Sequence, residues 1–61
     1  MVESRKYRAS LDDGHDYSEI EFYSEHRKNS KKNIEDCEKA IISKFGYNRY
    51  KKLKITQIYK I

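Results

Sequence analysis

The sequence predicts a small α+β domain of order β-β-α-β: a three-stranded antiparallel sheet, order 2-1-3, with one helix packed on one face. Three observations lead there. Two early segments alternate apolar and polar residues around an Asp-Gly turn, a later one places apolar residues at spacings of three and four, and the last returns to alternation. The 61 residues suit one domain, residues 1–61, and a chain this short buries only about 60% of the surface its unfolded form exposes. Its core is therefore small.

"KYRASL", residues 6–11, sets Tyr7, Ala9 and Leu11 on one side and Lys6, Arg8 and Ser10 on the other, the period-two mark of a half-buried strand. "DDGHD" follows as a turn, because Gly14 accepts positive φ at little steric cost. "YSEIEFYS", residues 17–24, alternates again, with Ile20 and Phe22 inward and Tyr17, Glu19, Glu21 and Tyr23 outward. The two strands should pair as an antiparallel hairpin.

A polar connection then leads into a helix expected over 31–44, where Ile34, Cys37, Ile41 and Phe45 form one apolar face. Ser30 is the first choice of N-cap and Asn33 the alternative. Gly46 suits the left-handed residue that ends a helix, after which Tyr47 would pack back onto the helix end. The last strand is expected over 52–60, with Leu53 and Ile55 inward and Lys52 and Lys54 outward. Strict alternation would then bury Gln57 and expose Ile58, so either a bulge shifts the register near Gln57 or the outer face is partly covered. A right-handed crossover through the helix places this strand beside the first. Ile34, Ile41 and Phe45 should then cover Tyr7, Ala9, Leu11, Ile20, Phe22, Leu53 and Ile55 as one cluster. The open face would be graded in charge, from Glu19 and Glu21 through Lys6 and Arg8 to Lys52, Lys54 and Lys60.

Several function classes recede on inspection. There is no apolar run near the 18 residues or so needed to span a bilayer, and no apolar segment behind the charged N-terminus, so neither a membrane nor secretion is expected. Cys37 is alone and falls on the apolar helix face, which fits a buried structural thiol in a reducing, cytoplasmic setting. Packing and homodimerisation remain as sources of stability. His15 and His26 sit in separate polar turns without a catalytic partner at a known spacing. The acidic turn Asp12, Asp13, His15, Asp16 lacks calcium-loop spacing and reads as a hairpin turn. The sequence therefore predicts no enzyme, no metal site and no cofactor.

Charge carries more information. Residues 1–25 hold three basic and seven acidic side chains, net −4, whereas residues 26–61 hold eleven basic and three acidic, net +8. Two stretches concentrate the positive charge. In "HRKNSKKN", Arg27 and Lys28 precede the helix while Lys31 and Lys32 enter its first turn, where cations oppose the macrodipole. An anion such as phosphate would compensate, although i,i+4 pairs of Lys31 with Glu35 and Lys32 with Asp36 are an alternative use. In "KFGYNRYKKLK", Arg49, Lys51, Lys52 and Lys54 surround Tyr50, a combination suited to phosphate contact with base stacking. The expected partner is thus DNA or RNA. A protein partner with an acidic surface is the alternative, as is docking on the open sheet face through Tyr17, Tyr23 and Ile58.

The run of "KYR", a short glycine turn, "FYSEHRKNSKKN", an amphipathic helix and "KFG" before a final strand resembles small β-β-α-β proteins encoded by phages and prophages of Gram-positive bacteria. That resemblance covers most of the chain and implies the cytoplasm of a bacterial host. It also implies a partner class, since such proteins often bind nucleic acid or bind and inhibit a host factor. The "KYR" hairpin is similar as well to the three-stranded sheets with which some phage integrase arm domains read DNA. Those place the third strand before the helix, an order this chain does not share.

Overall fold

The computed structural model describes residues 4–61. The chain runs β1 (Arg5–Asp12), β2 (Tyr17–Ser24), α1 (Lys31–Phe45), α2 (Tyr47–Tyr50) and β3 (Lys54–Lys60), and the sheet order is β2-β1-β3, antiparallel throughout. Alternation explains the hairpin directly. Tyr7 faces Phe22 and Ala9 faces Ile20 across β1 and β2, and all four are buried under α1. Asp12 and Asp13 form the turn: Oδ1 of Asp12 accepts from the Gly14 amide, and Oδ1 of Asp13 accepts from the amides of His15 and Asp16. Those amide bonds hold the Asp13 carboxyl below its usual range, with His15 and Arg49 adding smaller electrostatic effects.

Ser30 caps α1, its hydroxyl accepting from the Asn33 amide at 3.2 Å. The helix covers the predicted cluster, to which Cys37 and Ile58 are added, while Ile34, Phe45, Leu53 and Ile55 pack against it half-buried. Cys37 is buried, and that burial, with Glu38 nearby, pushes its thiol up to about 12. The thiolate is the reactive form. The native protein at pH 8 should therefore leave Cys37 unlabelled by a disulfide reagent on a timescale of minutes, and the same reagent should titrate it rapidly in denaturant. Equal rates in both conditions would show the helix face to be open.

The last strand departs from simple alternation through a bulge. Ser10 faces Gln57 but the next pair is Leu11 with Ile55, leaving Thr56 as the extra residue on β3. The Thr56 hydroxyl donates to the Ser10 carbonyl at 3.2 Å, which fills the irregularity with a hydrogen bond. Beyond the bulge the faces are exchanged. Ile58 lies opposite Ala9 and is only 3% exposed, so the expectation of Ile58 as an exposed docking residue is corrected: it belongs to the core. Lys60, opposite Tyr7, moves to the helix side of the sheet, whereas Gln57 and Tyr59 take places on the open face.

The passage from α1 into β3 also differs from expectation. Gly46 has the positive φ of 92° that glycine tolerates, but its ψ of 158° swings the chain away from α1 instead of folding it back. Its amide donates to the Ile42 carbonyl at 2.9 Å, and its carbonyl accepts from the Tyr50 amide at 3.0 Å, so one residue closes α1 and opens α2. Tyr47 is therefore exposed. Tyr50, one turn on, packs against the core and donates its hydroxyl to Oε2 of Glu38 at 3.0 Å. Lys52 lies in the turn after α2, so β3 begins two residues later than alternation suggested.

Candidate nucleic-acid interface

Strand direction decides where the cations gather. Because β1 begins where β2 ends, Arg5 pairs with Ser24, and the connection from β2 starts α1 at that same end of the sheet. A cleft of about 480 Å³ there is lined by Arg5, Tyr7, Glu25, His26, Arg27, Lys28 and Lys60. A second recess shares His26 and Arg27 with it and adds Ser30, Lys31 and Lys32. Arg5 and Lys60 were not among the expected contact residues. The signal that could have found them is β pairing itself, since in an antiparallel 2-1-3 sheet the start of β1 pairs with the end of β2 on one side and with the end of β3 on the other.

Arg49, Lys51, Lys52 and Lys54 follow the other end of α1. A 15-residue helix is about 22 Å long, so the eight expected phosphate contacts form two clusters on a molecule measuring 39 × 19 × 16 Å. Their environments differ. The first cluster surrounds a cleft, while the second is laid on aromatic rings, with the Arg49 guanidinium 5.2 Å from the Phe45 centroid and the Lys51 ammonium 5.6 Å from that of Tyr47.

The basic loop is held by buried polar groups. Asn33 is fully buried; its Nδ2 donates to the His26 carbonyl and its Oδ1 accepts from the Asn29 amide, each at 3.2 Å. The same carbonyl accepts from the Tyr7 hydroxyl at 3.1 Å. Ser24 Oγ accepts from the His26 amide and donates to Asp36 at 2.7 Å. Asp36 thus serves Ser24, and no ion pair joins it to Lys32, or Glu35 to Lys31, among the described residues.

The open sheet face uses its charges internally. Both Lys6 and Arg8 reach Glu21 at 2.9 Å, and the hydrogen bonds from Arg8 and Lys6 hold the Glu21 carboxyl below its usual range. Glu19 Oε2 accepts from the hydroxyls of Tyr59 at 3.0 Å and Tyr17 at 3.2 Å, while Tyr17 also bonds Ser10. Tyr17 and Tyr23 stay 65% and 66% exposed, without Ile58 beside them as an apolar anchor.

Tyr50 is placed differently from the stacking role expected of it. Its bond to Glu38 holds the hydroxyl, raising its proton affinity with some help from burial, and its ring packs against the core. No group of histidine, cysteine and carboxylate side chains among the described residues is arranged to hold a metal ion. No helix among them is long and apolar enough to cross a membrane. Comparison with known proteins finds no matching family model, no matching curated protein and no matching solved structure.

Proposed function

We propose that this chain is a non-enzymatic, cytoplasmic nucleic-acid-binding domain that grips phosphates with two basic clusters at the ends of α1. One observation carries the reading. Among the described residues both ion pairs converge on Glu21, so Arg27, Lys28, Lys31, Lys32, Arg49, Lys51, Lys52 and Lys54 have no carboxylate within 4.0 Å. All eight side chains are exposed. Arg27, Lys28, Lys31 and Lys32 neither pair with a carboxylate nor favour the helix dipole, and Arg49, Lys51, Lys52 and Lys54 are more cations than the C-terminal end of α1 calls for. An external polyanion explains both clusters, and displacement of its counterions would drive binding. The resemblance to phage-encoded proteins agrees with this partner class, and the unpaired buried cysteine agrees with a reducing compartment.

The test is binding of labelled single-stranded and duplex DNA and RNA at two salt concentrations. Neutralising Arg27, Lys28, Lys31 or Lys32 to glutamine should reduce the slope of log affinity against log salt by about 0.7 per lost contact for single strands or about 0.9 for duplex DNA. Absence of binding at low salt, or a slope indifferent to these substitutions, would overturn the reading. Docking of a protein on the open face is the second reading, favoured only by the exposure of Tyr17 and Tyr23. Sedimentation of Tyr17→Ser and Tyr23→Ser variants, with the wild type, checks it through self-association.

A further inference from the structure

We infer that Tyr47 is a stacking platform for an unpaired base, which makes the cluster after α1 a site for single-stranded nucleic acid; the inference rests on the nucleic-acid reading above. Tyr47 is 60% exposed on α2, a turn whose geometry is fixed by four backbone bonds: Tyr50 to Gly46, Lys51 to Tyr47, Lys52 to Arg49 and Leu53 to Tyr50. The ring is presented by a rigid support. It also lies 5.9 Å from the Tyr50 ring, which is itself pinned by Glu38 and the core.

The surroundings separate Tyr47 from the other exposed tyrosines. Tyr17 donates to Glu19, and Tyr23 pairs with Lys6, whose ammonium is already engaged by Glu21, so neither ring has a free cation beside it to hold a phosphate. Around Tyr47 stand Lys51, 5.6 Å from its centroid, with Arg49 and Lys52 on the same short segment. Phe45 packs half-buried against the core with Lys44 and Arg49 over its ring, whereas Tyr47 stays 60% exposed with Lys51 beside it. A base stacked on Tyr47 would bring its phosphate within reach of Lys51. Bases inside a duplex are already stacked on one another and cannot use such a ring, whereas single strands can.

The experiment compares three probes of about twelve nucleotides, within the usual range of single-strand sites: an oligothymidylate, the same backbone without bases, and a duplex. Removing the bases keeps the phosphates, so it isolates stacking. The wild type should bind oligothymidylate at least about tenfold more tightly than the abasic strand. Tyr47→Ala should abolish that difference with its salt slope unchanged, and Tyr47→Phe should retain it. Equal affinity of the wild type for the base-bearing and abasic strands would overturn the stacking site while leaving phosphate binding in place. A preference that survives in Tyr47→Ala would likewise overturn the assignment to this residue. Absence of binding to all three probes would remove the inference together with the reading it rests on. Thermal melting of each variant, expected to match the wild type because the ring is exposed, confirms that binding is compared between folded proteins.

Discussion

Ile58→Lys should unfold the domain at room temperature, whereas Ile61→Lys, three residues on and 55% exposed, should melt with the wild type. Ile58 lies against Ala9 on the central strand, within the cluster that α1 covers. Truncating such a side chain costs about 2 to 5 kcal/mol, and placing an ammonium there adds desolvation or forces the lysine stem out past the sheet edge. The core of a chain this short rarely supplies more than about 3 to 5 kcal/mol. Loss of one buried isoleucine therefore approaches the whole of its stability. Far-UV circular dichroism with temperature measures this, and Ile58→Ala tests the packing contribution without a charge. A lysine variant that melts within a few degrees of the wild type would mean that residue 58 points to solvent, as uninterrupted alternation would have it.

The two registers that the sequence allows at Ile58 mark which parts of the fold it carries locally. β1, β2 and α1 are legible because their apolar periods are complete within one segment, from Tyr7 to Leu11, at Ile20 and Phe22, and from Ile34 to Phe45. The bulge is legible only as one of two alternatives. Its choice depends on pairing with β1, some 46 residues away at Ser10 and Thr56, and on the burial gained when Ile58 turns inward. α2 is too short to show a period, so nothing local assigned the inward place to Tyr50 and the outward one to Tyr47. The charge asymmetry and its division into two stretches were legible, but the addition of Arg5 and Lys60 to the first needed the sheet order. Asn33 offered a signal that its polarity concealed. With Cys37 and Ile41 it falls at i, i+4 and i+8, on the buried line of α1.

That buried asparagine supports the last expectation. Asn33→Leu should lower stability by about 1 to 3 kcal/mol, because the Asn29 amide loses its acceptor and the His26 carbonyl keeps only the Tyr7 hydroxyl. In a domain of this size each kcal/mol corresponds to about 4 to 8 °C in melting temperature. Asn29 has a φ of 66°, uncommon for a residue other than glycine, and the bond to Asn33 helps hold it there. Arg27 and Lys28 lie between His26 and Asn29, the two points that Asn33 ties down. Releasing them should weaken phosphate binding through the cost of ordering the loop, yet leave the salt slope near that of the wild type because every cation remains. Arg27→Gln should do the reverse, reducing the slope with little change in melting. Asn33→Asp adds a pH test. A buried carboxylate cannot donate to the His26 carbonyl, and burial raises its folded-state pKa above the unfolded value of about 3.9, so the variant is penalised above that pH and partly rescued as pH falls. If Asn33→Asp instead melts with the wild type at neutral pH, Asn33 does not pin the basic loop, and the cleft formed by Arg5, Arg27, Lys28 and Lys60 must be held by Tyr7 and Ser24 alone.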